Sequence, residues 1–212
     1  MSGCSRAKIV FEHLLKVNAG TVMKETTTAL KDKILDGAIE LFIEKGIEKV
    51  TTRELAEHVG ISRSHLYHYF PDWQTLSIEA LTAFMQADLE DVAAEIATLP
   101  PKEKLHALVK NYLPDTTDVI WNLYGSLWQL AVHNSAYAEL AHVMTEKWSA
   151  LLENIIASGV ASGAFKHTDT QRVSRQLGAL LNGYSDHLII NPDPADFQQA
   201  TEDIGDFIQR VL

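Results

Sequence analysis

With 212 residues, 46% hydrophobic and 22% charged, the chain can bury a substantial core and falls outside the disordered and fibrous classes. No apolar run approaches the roughly 20 residues of a membrane span, the N-terminus lacks the apolar stretch of an export signal, and one cysteine, Cys4, allows no internal disulfide, which suits a reducing cytoplasm. The net charge of −10 taken alone argues against nucleic acid, but residues 1–73 hold 10 basic and 10 acidic side chains while residues 74–212 hold 8 and 18, so charge permits an acidic partner only at the N-terminal end.

Taken in chain order, residues 1–23 show no convincing pattern, Met23 opens a more ordinary-looking start, and residues 1–27 are expected to be a flexible arm. From Leu30 a helical period appears. Leu30, Ile34, Ala38 and Leu41 form one stripe beside Leu35, Ile39 and Phe42, with Asp32 in the expected first turn, Lys45 in the last and Gly46 as the stop. Thr51-Thr52-Arg53-Glu54 is a capping box that opens a second helix running through Leu55, Ala56 and Val59 to Gly60. Ser62 caps a third short helix over Arg63–Phe70, Pro71 breaks it, and Asp72 caps a long fourth helix ending before Pro100-Pro101. Further helices are expected at about 102–113, 116–133, 135–162, 169–190 and 195–211, separated by proline, asparagine and glycine breakers. No strand alternation or internal repeat is present, and the fold class is all-α.

Two short helices joined by a glycine turn, the second opened by a capping serine, have the form of a helix-turn-helix. A helix fits the major groove, and the first residues of the second helix reach the base edges. Those residues are Arg63, Ser64 and His65. Arg63 suits a guanine through its forked donors, whereas Tyr67 and His68, about one turn on, suit phosphate. Thr51, Thr52 and Arg53 open the preceding helix, whose free backbone N–H groups favour an anion. Leu55, Ala56, Val59, Ile61, Leu66, Tyr69 and Phe70 are the expected internal core. His58, His65 and His68 would add positive charge to the head at mildly acid pH.

Residues 34–76 closely resemble the DNA-binding domain of the TetR (tetracycline repressor) family. The resemblance is carried by Ala38, Phe42, Gly46, Thr51-Thr52, Leu55-Ala56, Val59-Gly60-Ile61-Ser62 and Leu66-Tyr67-His68-Tyr69-Phe70, in order and without a gap. It implies a helix-turn-helix domain over 28–75 and an α-helical ligand-binding and dimerisation domain over 76–212. It also implies homodimers on palindromic double-stranded DNA operators and a small-molecule effector. Two departures stand out. Trp73 occupies the place of a customary phosphate-holding Lys, and Ser64-His65 replaces a customary Gly-Thr in the recognition helix.

In the body, Trp121, Tyr124, Gly125 and Trp128 share one helix face at i, i+3, i+4 and i+7. Three of the four tryptophans lie within residues 121–148. An aromatic stripe at this spacing is more often core than binding site, but the concentration of rings marks Phe84, Trp121, Tyr124, Trp128 and Trp148 as candidate ligand contacts, with Asn182 and His187 as polar ones. The tract from Trp121 to Leu140 is weakly similar to a subgroup containing choline-responsive betaine-synthesis regulators, and aromatic faces can hold a quaternary ammonium. Apolar stripes on the last two helices (Leu177, Leu180, Leu181, Tyr184, Leu188 and Ile189; then Phe197, Ile204, Phe207, Ile208 and Val211) suit monomer core or a dimer face.

No catalytic residues, metal site or cofactor are expected. There is no nucleophile elbow, no His-Glu-x-x-His and no Gly-rich phosphate loop. The resulting expectation is a cytoplasmic, ligand-responsive regulator, most simply a repressor released from its operator by a small hydrophobic or cationic effector. The alternative is a regulator-like protein that has lost DNA binding and acts through protein contacts, a reading that Trp73 favours.

Overall fold

The computed structural model describes residues 27–115, 119–190 and 192–212. Among them are nine α-helices and no strand: α1 Thr27–Lys45, α2 Thr52–Val59, α3 Arg63–Tyr69, α4 Trp73–Ile96, α5 Pro101–Tyr112, α6 Val119–His133, α7 Ser135–Ala161, α8 Thr170–Ile190 and α9 Pro194–Val211. A single 3-10 turn, Ile47–Lys49, sits between α1 and α2. The all-α expectation therefore holds. The expected arm, with Cys4, lies outside the described residues as far as residue 26, and Thr27 already belongs to α1. Because α1 starts three residues before the apolar stripe does, Asp32 lies beyond its first turn; apolar periodicity reports the buried face and says nothing of a polar opening turn.

Helix ends follow local chemistry. Thr51 Oγ1 accepts the N–H of Glu54, Ser62 Oγ that of His65, and Asp72 Oδ1 that of Thr75, each occupying a donor that the first helical turn leaves unpaired. The Asp72 carboxyl is held below its ordinary range, mainly by the Thr75 backbone N–H. A carboxyl depressed on folding contributes stability above its unfolded pKa, and that contribution is lost as pH falls through the folded value. Asp72→Asn keeps the cap oxygen and should flatten this acid-side loss in a pH series of thermal melts. At the other end of α2, Gly60 adopts φ 80°, ψ 33°. Its N–H bonds the Ala56 and Glu57 carbonyls, a left-handed stop that a side chain would strain.

The packing divides the chain into two compact units. The first runs through Asp88 and takes in Asn122–Ala141; the second comprises Leu89–Trp121 and His142–Leu212. In the first unit, Ile34, Ala38, Leu41 and Phe42 of α1 are buried, as are Leu55, Ala56 and Val59 of α2, Leu66 of α3, and Phe70. Ile61 and Tyr69, also expected inside, are only half-buried. In α4, Ser77 is buried and its hydroxyl meets the Tyr137 hydroxyl at 2.6 Å, while Gln74 accepts from Asn134 at 2.9 Å.

The second unit has one continuous apolar cluster, including Leu105, Leu108, Val109, Leu152, Ile156, Phe165, Leu177, Leu181, Leu188 and Ile204. The chain after α7 folds back so that the Phe165 N–H reaches the Gly159 carbonyl at 3.0 Å. The Phe165 ring then lies where a Cβ on Gly159 would stand, well inside van der Waals contact. Gly159→Ala should therefore cost about 1–3 kcal/mol through overpacking. A thermal melt of that variant, and partial recovery with Phe165→Leu, checks the assignment.

Candidate nucleic-acid interface and ligand site

The α2–α3 pair in the first unit is two short helices locked by their caps and by shared apolar residues, with Leu66 of α3 buried and Tyr69 half-buried. Arg63, Ser64, His65, Tyr67 and His68 are all exposed, Tyr67 to 49%. No acidic residue occurs on α3, RSHLYHY. Arg63 and Tyr67 make no hydrogen bond, ion pair or ring contact among the described residues, so the fork of Arg63 is available to an outside acceptor.

The other expected contacts are more committed. Ser64 Oγ lies 2.9 Å from Ser62 Oγ. The His65 ring packs on those of His68 and Tyr69 at centroid separations of 6.5 and 5.5 Å. The Thr51 hydroxyl serves as the cap of α2, Thr52 is half-buried, and exposed Arg53 pairs with Glu57 at 2.8 Å. An exposed pair of this kind is weak enough to exchange for a phosphate. Glu54 completes only half of the capping box. Its carboxylate pairs with Lys45, which holds it below its usual range and raises the lysine. His58, grouped by sequence with His65 and His68, pairs instead with Glu40 of α1 at 2.7 Å. Trp73, in place of a cation, packs edge-on against Phe42 at 5.7 Å and 84°, so the ring closes the head's apolar core.

The aromatic residues fall into two groups, one in each unit. In the first unit Phe84 and Tyr124 are buried and Trp128 half-buried. Tyr124 packs against Trp128 at 6.0 Å and donates its hydroxyl to the buried Asp88 carboxylate at 3.0 Å. In the second unit Tyr112 is the pivot. Its ring meets Trp121 at 5.2 Å and 68°, and Trp148 at 6.1 Å and 87°; its hydroxyl donates to Asn182 Oδ1, and its carbonyl accepts from Ser185 Oγ. Three of the expected ligand residues, Trp121, Trp148 and Asn182, are thus gathered around Tyr112, which sequence reasoning did not single out. Tyr112 ends a helix with a single aromatic, so no stripe marked it. His187 is elsewhere: it is exposed and pairs with Asp196 at 3.4 Å. Near-perpendicular rings with a polar group beside them form a corner that can face an apolar or cationic group.

Among the described residues there is no group of three or more His, Cys, Asp or Glu that could hold a metal, and no helix long and apolar enough to cross a membrane.

An outward recognition helix on a three-helix head, followed by an all-helical body, defines a helix-turn-helix transcriptional regulator. Residues 34–80 match the family described as bacterial regulatory proteins, tetR family, and residues 101–212 match that described as BetI-type transcriptional repressor, C-terminal. The chain belongs to the TetR family, with a BetI-type C-terminal domain, and is a ligand-responsive DNA-binding regulator. It is 25% identical over 185 residues, 85% of this chain and 92% of the relative, to the HTH-type transcriptional regulator BetI of Paraburkholderia xenovorans. It is 29% identical over 140 residues, 64% of this chain and 68% of the relative, to the HTH-type transcriptional repressor KstR2 of Rhodococcus jostii. In fold it is similar to a transcriptional regulator from Saccharomonospora viridis solved in complex with choline: TM-score 0.75 and 21% identity, over 86% of this chain and 97% of that one.

Proposed function

We propose that this protein is a cytoplasmic homodimeric repressor that holds a palindromic operator through α3 and releases it when a small cationic or hydrophobic effector binds the body. The observation that carries this reading is the exposed, acid-free surface of α3, with the Arg63 guanidinium at its first turn unpaired among the described residues. Arg63 would read a base edge, with His65 and Ser64 beside it; Tyr67, His68, Arg53 and the α2 opening at Thr51-Thr52 would take phosphate.

A dimer is what a helix-turn-helix needs to reach two half-sites about 34 Å apart. The half-buried apolar side chains of α8 and α9, among them Leu180, Ile189, Phe197, Phe207 and Val211, supply a face for it. The effector would sit against the Tyr112–Trp121–Trp148 corner. Its chemical class is supported by the choline held in the Saccharomonospora viridis regulator and by the affinity of aromatic faces for quaternary ammonium.

Release needs only that the effector bind more tightly to a conformation in which the recognition helices no longer match successive grooves. Titrating choline and a panel of quaternary ammonium and apolar compounds into a preformed operator complex tests this. Release by a compound that saturates the protein is the expected result. An unchanged operator affinity under saturation contradicts it.

A further inference from the structure

A groove unrelated to the aromatic corner runs between α5 and α9, entirely within the second unit. It encloses about 660 Å³, the size of small-molecule sites generally. Its floor is apolar: Leu105, Val109, Phe165, Ile204 and Leu212 are buried core residues whose surfaces face this space, and Ile208 continues the floor along α9. Its rim carries two lysines and a histidine. Lys102 and His106 come from one face of α5 and Lys166 from the chain between α7 and α8, and no acidic side chain lines the groove.

The three rim groups are only lightly engaged. Lys102 and His106 have no hydrogen-bond or ion-pair partner among the described residues, and Lys166 Nζ reaches the Gln209 carbonyl at a long 3.4 Å. The background makes the patch distinctive. The acidic excess of the whole chain lies in residues 74–212, which hold 8 basic side chains, and two of those lysines stand at this one mouth.

The groove is also kept open. Gly205 lines it from within α9, a place where glycine is among the poorest helix formers. A Cβ built there meets nothing within 4 Å, so neither backbone conformation nor a close neighbour requires glycine. A larger residue would project into the groove.

We infer that this groove is a second small-molecule site for an amphipathic carboxylate, whose apolar chain lies on the Leu105–Phe165–Ile204 floor while its head meets Lys102, His106 and Lys166. An uncharged apolar molecule would leave the cationic rim unused. A small hydrophilic anion would leave the floor uncovered. Only a ligand with both parts uses both surfaces.

The test is equilibrium dialysis of the full chain against labelled decanoate below its micelle concentration, with decanol as the uncharged comparison. Three proteins are compared: wild type, Lys102→Glu with Lys166→Glu, and Gly205→Leu. The expected results are one saturable decanoate site per chain, at least tenfold tighter than decanol, and a loss of tenfold or more on charge reversal. Gly205→Leu should abolish binding with helical circular dichroism unchanged and a melting temperature no lower than wild type. Decanoate binding to Gly205→Leu as to wild type overturns the proposal, as does equal affinity for decanoate and decanol. If the groove is instead covered by a second copy of the chain, no decanoate site is found and Gly205→Leu elutes as a smaller species on gel filtration, which also overturns it.

Discussion

Replacing Arg63 with alanine is expected to weaken binding to the preferred operator by about 1–3 kcal/mol, roughly 5- to 150-fold, while leaving binding to unrelated DNA little changed. The expectation follows from position and availability together. Arg63 opens α3, the end of a recognition helix that faces base edges, and its guanidinium has no partner among the described residues that would have to be given up. A bidentate pair with guanine supplies discrimination of this size. Arg53 is the internal comparison. It is already paired with Glu57 on an exposed helix face, and Arg53→Ala should weaken all sequences alike and lower the salt slope by about one unit. Competition binding on matched and scrambled duplexes separates the two. A uniform loss for Arg63→Ala would reassign it to phosphate.

The second large effect is expected at the aromatic corner. Trp148→Ala removes one wall of the Tyr112–Trp121–Trp148 group. A cation–π contact contributes about 0.5–2 kcal/mol, rising as it is desolvated, so the affinity for a quaternary ammonium effector should fall by roughly 2- to 30-fold. Operator affinity without effector should stay unchanged. Trp148→Phe should retain part of the affinity, because the ring face survives. Tyr112→Phe keeps both ring contacts and loses only the hydroxyl donated to Asn182. It should therefore cost less than Trp148→Ala if the rings carry the binding, and more if Asn182 must be held in a set orientation. Titrations of the three variants with choline distinguish these cases.

Much of this architecture was legible in the chain itself. Thr51, Ser62 and Asp72 announce three helix starts because a short oxygen-bearing side chain is what an opening turn lacks, and each makes the bond that its position implies. Gly60 announces the turn because a left-handed stop there favours glycine. The exposure of α3 could likewise be read from its single buried Leu66 among polar neighbours.

Side-chain partnerships were much less legible. That Glu54 pairs with Lys45 rather than completing its capping box depends on how α1 lies against α2. That Trp73 packs on Phe42 is equally tertiary. The helical spacing that places Trp121 and Tyr124 on one face of α6 is real, yet their partners fall in different compact units: Tyr112 and Trp148 group with Trp121, whereas Asp88 and Trp128 group with Tyr124. One-dimensional spacing reports a face and cannot report what meets it. Asp88 shows the same limit. It is a carboxylate buried to 2% exposure on the same helical stripe as Leu81, Met85 and Val92, so the spacing assigns its face but not the Tyr124 hydroxyl that meets it there.

The most direct test of the central claim is selection of random duplexes by the purified full-length protein at two salt concentrations. Recovery of a two-fold symmetric sequence, with binding that weakens steeply as salt rises, is the predicted result, because under the proposed function two copies of α3 would read the half-sites and the surrounding contacts to phosphate would release counterions. Failure to enrich any sequence at low salt would contradict it and leave a protein that keeps the fold, with Trp73 packed on Phe42, and acts through other partners.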